Sequence, residues 1–175
     1  MNRPGTLKTT DTEKPPEEDH QYLIFNLGKE AFAIGILQVK EIIEYGQLTE
    51  VPMMPDVVRG VINLRGSVVP VIDLAIRFWK QPTVVGRRSC IIIVEMTETE
   101  RHQVMGFVVD AVNKVTEIPR SDIEPAPAFG SKIRTDFIAG MGKIDEHFVI
   151  ILNAARVLSL DELTAIADEL PDASA

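Results

Sequence analysis

RGVINLRGSVVPVIDL, residues Arg59 to Leu74, carries the clearest β pattern of the chain. Two apolar runs, Val61-Ile62 and Val68 to Ile72, flank the tetrapeptide Asn63-Leu64-Arg65-Gly66. β-branched residues on both sides of a Gly-bearing break read as two strands joined by a tight turn. Pro70 has no N–H to give to a ladder, so its strand is expected at a sheet edge or at a bulge. An edge beside a loop that presents an Arg and bare backbone is a docking surface rather than a reaction centre.

Working outward, the same β pattern continues in both directions. Order is expected from Tyr22-Leu23-Ile24-Phe25, and Ala31 to Ile43 reads as one long strand whose apolar face switches near Leu37, as at a bulge. Two prolines in Val51 to Pro55 exclude a helix there. Ala75 to Lys80 suits a short helix, and Ser89 to Glu95 a strand entered from Arg87-Arg88. A charged tip at Thr97 to Gln103 leads into Val104 to Ile118, interrupted by Asp110 and Asn113. Phe137 to Lys143 and Phe148 to Leu152 read as a closing hairpin around Asp145-Glu146. A helical segment follows from about Ala154 to Leu170, and the capping-box spacing of Ser159 and Glu162 marks a restart.

A repeat runs through this pattern. Gly60 precedes Asp73 by 13 residues, and Gly140 precedes Asn153 by 13 residues. Upstream, Ala33-Ile34 to Val39 matches Gly106-Phe107 to Val112 in apolar placement. A doubled supersecondary unit implies two similar small barrels.

The chain has 175 residues, enough for one domain with a sizeable core or two small subdomains sharing one. Its net charge of −8 is concentrated at the ends: residues 1–20 carry three cations and five carboxylates, and residues 161–175 carry five carboxylates and no cation, which leaves the body near −1. A near-neutral body argues against nucleic acid as a ligand, because phosphate neutralisation needs a basic face. Residues 1–19 are expected to form a disordered tail, with no apolar segment of signal-peptide type. No apolar run has the length to span a bilayer, so a cytoplasmic protein without membrane insertion is expected. Cys90 is a single cysteine within an apolar strand pattern and reads as a small core residue.

Signs of catalysis are few. His20, His102 and His147 lack ligand neighbours at zinc spacing, and neither GxxxxGK[ST] nor GxGxxG occurs. Gly140-Met141-Gly142 lies in a strand pattern, where a bulge or close packing explains it. Asp73 and Asp110 end or interrupt apolar strands; they suit backbone capping, and an enzyme using one of them as acid or base is the rival reading. No catalytic residue, metal or cofactor is therefore assigned.

Binding candidates are clearer. Arg65 carries a guanidinium able to fork onto a carboxylate or onto exposed carbonyls. Val39 and Glu41 share one face of a regular strand, with Lys40 and Ile42 on the other. Val39 then serves either as an exposed apolar anchor beside a charged rim or as a core residue beside a solvated Glu41.

The Arg59–Leu74 segment closely resembles the signature of the CheW family, adaptors that couple bacterial chemoreceptors to the CheA histidine kinase. Val39-Lys40-Glu41-Ile42, Phe25 to Glu30, Gly106 to Asp110, Ile123 to Pro127 and Ile138 to Gly142 continue the resemblance in order, from Tyr22 to Leu163. It implies a mainly β fold: two SH3-like five-stranded β-barrels around a shared hydrophobic core, with short helices and a C-terminal helix. The implied organisation is a tail at 1–19, a CheW-like domain at 20–163 and an acidic, partly helical tail at 164–175. The implied function is a non-enzymatic adaptor at receptor arrays on the inner face of the membrane. Its partners would be the cytoplasmic tips of chemoreceptors and the regulatory domain of a CheA-type kinase, at a surface of Val39, Glu41, Asn63, Leu64, Arg65 and Gly66. Coupling in a non-chemotactic kinase pathway, and self-association of the two like halves into rings or filaments, are the further readings.

Overall fold

The computed structural model describes residues 20–96, 103–127 and 133–169. The expected tail at 1–19, most of the charged tip after Met96 and the last six residues lie outside the described residues. Within them, eleven strands form two sheets. The five-stranded sheet uses β3 (Val39–Glu44), β4 (Val58–Leu64), β5 (Ser67–Asp73), β6 (Cys90–Met96) and β7 (Gln103–Val109), in the order β4-β5-β7-β6-β3. The six-stranded sheet uses β1 (Gln21–Leu27), β2 (Glu30–Gly35), β8 (Ala111–Glu117), the two-residue β9 (Ile123–Glu124), β10 (Ile138–Ile144) and β11 (His147–Leu152), in the order β9-β10-β11-β2-β1-β8. Helix α1 (Leu74–Trp79) follows β5, and α2 (Leu160–Glu169) closes the described chain.

The repeat read from sequence is the organising symmetry of the sheets. Hairpin β4–β5 joins β7 through a parallel pairing that sets Val71 opposite Gly106, and hairpin β10–β11 joins β2 through one that sets Ile151 opposite Ala33. Each hairpin carries a bulge immediately before its glycine, between Val58 and Gly60 and between Ile138 and Gly140. A Cβ on Gly140 would stand 2.8 Å from Ile123 Cγ2, so close packing against β9 fixes glycine there. The N-terminal hairpin β1–β2 belongs with the C-terminal strands, so the barrels are not successive halves of the chain.

Three apolar clusters result. Phe25, Leu27, Phe32 and Ile34 from one sheet meet Ile72, Ile92, Val94 and Phe107 from the other in the shared core. Ile24, Ala33, Ile118, Val149 and Ile151 fill the six-stranded barrel, and Val69, Val71, Ile91, Ile93 and Val108 fill the five-stranded one. Strands β6 and β7 face two cores at once, which explains their unbroken apolar runs. This is the expected pair of SH3-like barrels around a shared core; the sixth strand is the short β9.

Three local readings need correction. The long strand at 31–43 is two strands in different sheets, separated by a 3-10 turn at Ile36–Gln38; the face switch at Leu37 marks the crossover. Asp110 sits at the matching crossover between β7 and β8. Pro70 is not on an edge strand, since β5 lies between β4 and β7. It pairs with Val61, whose backbone N–H and C=O both turn away to Thr49, and it precedes the first β7 pair at Val71, so its missing N–H falls just ahead of the β7 ladder. Cys90 is half-buried at the start of β6 rather than a core residue; burial, then Glu44, raises its thiol pKa. Helix α2 runs on past residue 163, and its Ile166 is buried against the shared core.

The end of the chain follows its capping chemistry. After a 3-10 turn at Ala154–Arg156, Glu162 accepts the Ser159 N–H at 2.9 Å and the Glu162 N–H donates to Ser159 Oγ at 3.1 Å. Arg77 of α1 bonds the other oxygen of Glu162 and clamps α2 to α1. Burial pushes the Glu162 carboxyl pKa up, but the Arg77 and Ser159 bonds outweigh it and hold it below the ordinary glutamate value.

Candidate functional site

The β4–β5 turn is built by its sequence. Arg65 and Gly66 both have positive φ, 51° and 90°, the two-residue turn whose twist matches a hairpin. Gly66 takes this conformation without a Cβ penalty, and its N–H donates to Asn63 Oδ1 at 2.9 Å. Asn63 and Gly66 thus shape the turn, while Leu64 is half-buried against the core of the five-stranded barrel. Arg65 is projected outward, with its side chain 69% exposed.

The structure brings Arg65 to Glu41 across 24 residues of sequence. Arg65 Nη2 donates to Glu41 Oε1 at 2.6 Å. Glu41 lies on β3 just after a bulge that leaves Lys40 without a partner between the Val39–Val94 and Glu41–Ile93 pairs. An ion pair this open to water contributes only ~0–1 kcal/mol to stability. Its effect is to hold a guanidinium and a carboxylate in fixed positions at the surface.

Val39 does not serve as the exposed anchor. It is half-buried and packs on the shared core. Two aliphatic side chains missed as site candidates stand exposed in the same segment: Leu37 in the crossover turn, 64% exposed, and Ile42 next to Glu41, 41% exposed. The bulge overturns the expected sharing of a face by Val39 and Glu41: Val39 pairs with Val94 and Ile42 with Ile92 on the shared-core face, whereas Glu41 pairs with Ile93 on the other face.

The two aspartates are occupied structurally. Asp73 is fully buried and caps α1, accepting the Ala75 N–H at 3.0 Å and the Ile76 N–H at 3.4 Å. It also accepts the Thr83 N–H at 3.0 Å, the Thr83 hydroxyl at 2.8 Å and Arg59 Nη1 at 2.8 Å. Asp110 accepts the Gly28 N–H at 2.8 Å and thereby clamps the β1–β2 turn. Backbone capping is the role the residue pattern suggested for both. Among the described residues no group of three or more His, Cys, Asp or Glu side chains could hold a metal ion, and no helix is long and apolar enough to cross a membrane.

Comparison with known proteins agrees with this geometry. The family model described as CheW-like domain matches residues 21–162. The chemotaxis protein CheW of Klebsiella aerogenes is 35% identical over 146 residues, covering 83% of this chain and 86% of that protein. A probable chemotaxis protein CheW of Rhizobium etli is 32% identical, covering 84% and 92%. The crystal structure of the scaffolding protein TtCheW from Thermoanaerobacter tengcongensis superposes with a TM-score of 0.75 at 32% identity, over 89% of this chain and 96% of that one. The doubled barrel, the outward Arg65 turn and these matches place the chain in the CheW-like domain family, a family of chemotaxis coupling adaptors rather than enzymes.

Proposed function

We propose that this chemotaxis adaptor bridges the cytoplasmic tips of chemoreceptors and the regulatory domain of a CheA-type histidine kinase. It would act in the cytoplasm, recruited to receptor arrays at the inner face of the membrane. The observation that carries this reading is the Arg65–Glu41 pair, displayed on a rigid two-residue turn and worth little to the fold. The docking surface we assign comprises Glu41 and Arg65, the turn formers Asn63, Leu64 and Gly66 that aim Arg65, and Val39 as the core-anchored base of β3.

The mechanism is positional. An adaptor transmits receptor state only if its contacts differ between the kinase-on and kinase-off assemblies. The internal repeat also supports self-association, because one barrel offers a neighbour the kind of surface that the other barrel presents.

The test is co-sedimentation of the folded protein with receptor-bearing membranes, with and without CheA, while kinase phosphorylation is followed. Sedimentation with receptor-dependent stimulation supports the bridge. Failure of both with cognate receptors and kinase refutes it and directs attention to self-assembly or to a non-chemotactic kinase.

A further inference from the structure

The register places a second feature at the opposite end of the five-stranded barrel. Asp73 is level with Val108, Val108 with Ile91, and Ile91 with Ile43, while Arg65 turns beyond the Leu64–Ser67 pair at the other end. At the Asp73 end the β1–β2 turn meets α1 and the 81–84 segment around a cleft of about 190 Å³. Its walls include Gly28, Ala75, Trp79, Pro82, Val84 and Asp110. That volume admits one long side chain and falls below the usual range for a small-molecule site.

The chemistry of the walls is specific. Trp79 supplies an indole, the aromatic group that attracts cations most strongly. Asp110 supplies a carboxylate with one oxygen, Oδ2, held by the Gly28 N–H. Its other oxygen receives no protein donor among the described residues. Val84 stands at the rim, 88% exposed. The rim is also pre-set: Thr83 is tied to buried Asp73, and the Gly86 N–H donates to Ser89 Oγ at 2.8 Å. A fixed rim loses little entropy on docking.

We propose that this cleft is a docking pocket for a basic side chain, arginine or lysine, of a protein partner. The alkyl stem crosses Val84, and the charged head lies between the Trp79 indole and the Asp110 carboxylate. A guanidinium suits both walls, since it stacks on an aromatic ring and donates to a carboxylate in one plane. The pocket lies away from the Arg65 surface, so a partner can engage it independently of that surface.

Trp79 is the chain's single tryptophan, so fluorescence of the full-length protein reads the pocket directly. The probes are N-acetyl-arginine amide and its neutral isostere N-acetyl-citrulline amide. The expected result is a saturable change with the arginine probe and none with citrulline over the same range, weakening as salt is raised. Asp110→Asn retains an oxygen for the Gly28 N–H, and it should weaken arginine binding roughly tenfold or more, as loss of a hydrogen bond to a charged group does. A shift of the Gly28 amide resonance on titration should accompany binding. Absence of a saturable change, an equal response to citrulline, or unchanged binding by folded Asp110→Asn overturns the proposal. If that variant fails to fold, the arginine–citrulline comparison on the unaltered protein decides.

Discussion

Two ion pairs bracket the β4–β5 hairpin, and they differ in nearly everything except length. At one end Arg59 meets Asp73 at 2.8 Å; at the other Arg65 meets Glu41 at 2.6 Å. Asp73 is sealed from water and receives hydrogen bonds from α1, from Thr83 and from Arg59, whose guanidinium also lies 5.7 Å from the Tyr45 ring centroid. Arg65 is open to solvent and contacts one carboxylate. Burial makes the first pair a structural joint, because an unpaired charge there would have no solvent to turn to. Exposure leaves the second nearly idle in folding and free to serve recognition. One hairpin thus carries a joint at its base and a docking point at its tip.

The widest separation between the pairs should come from removing the buried carboxylate. Asp73→Ala strands Arg59 and uncaps α1, and it should destabilise the protein by ~3–5 kcal/mol in a denaturant titration. A loss under about 1 kcal/mol would erase the distinction drawn between the two pairs. Thr83→Val removes one hydroxyl donor to the same carboxylate with little change of shape. An intermediate loss of ~1.5–3 kcal/mol is expected by the same assay.

Glu162 sharpens the comparison as an ion pair of intermediate burial. Its pKa is depressed in the folded state, so its contribution is complete above the ordinary glutamate range and disappears as pH falls through the depressed value. Glu162→Gln should lose that contribution at neutral pH and flatten the fall of stability over the acid window. A stability profile with the same acid slope in both proteins would remove Arg77–Glu162 as the clamp on α2.

The smallest effect on folding belongs to the exposed pair. Arg65→Ala and Glu41→Ala should each change stability by less than about 1 kcal/mol, yet weaken receptor control of the kinase. The exchange Glu41→Arg with Arg65→Glu restores an ion pair with its charges in the wrong places. Restored coupling in that double variant would show that pairing itself, rather than the position of each charge, is what partners require.

Much of this was legible because the signals were local. The tight turn within Asn63 to Gly66, the cap and restart at Ser159 and Glu162, and the doubled Gly-to-Asp and Gly-to-Asn spacing follow from φ preference, capping chemistry and side-chain period. The crossover at Ile36–Gln38 was not legible. Apolar alternation resumes beyond it, and a strand's pattern does not say which sheet it joins. Pro70 misled for a related reason. Proline excludes a donated ladder bond, and an interior strand can supply a position where none is needed.

The β class, the repeated unit, the signature turn and the family resemblance are each written in neighbouring residues and follow from local pattern. Tertiary structure alone decided that Glu41 lies against Arg65, that Val39 packs inward while Leu37 faces water, and that β1–β2 complete the C-terminal barrel. These facts depend on which strands pair across long stretches of chain. That choice is made by the free energy of burying three cores together, which no single segment carries.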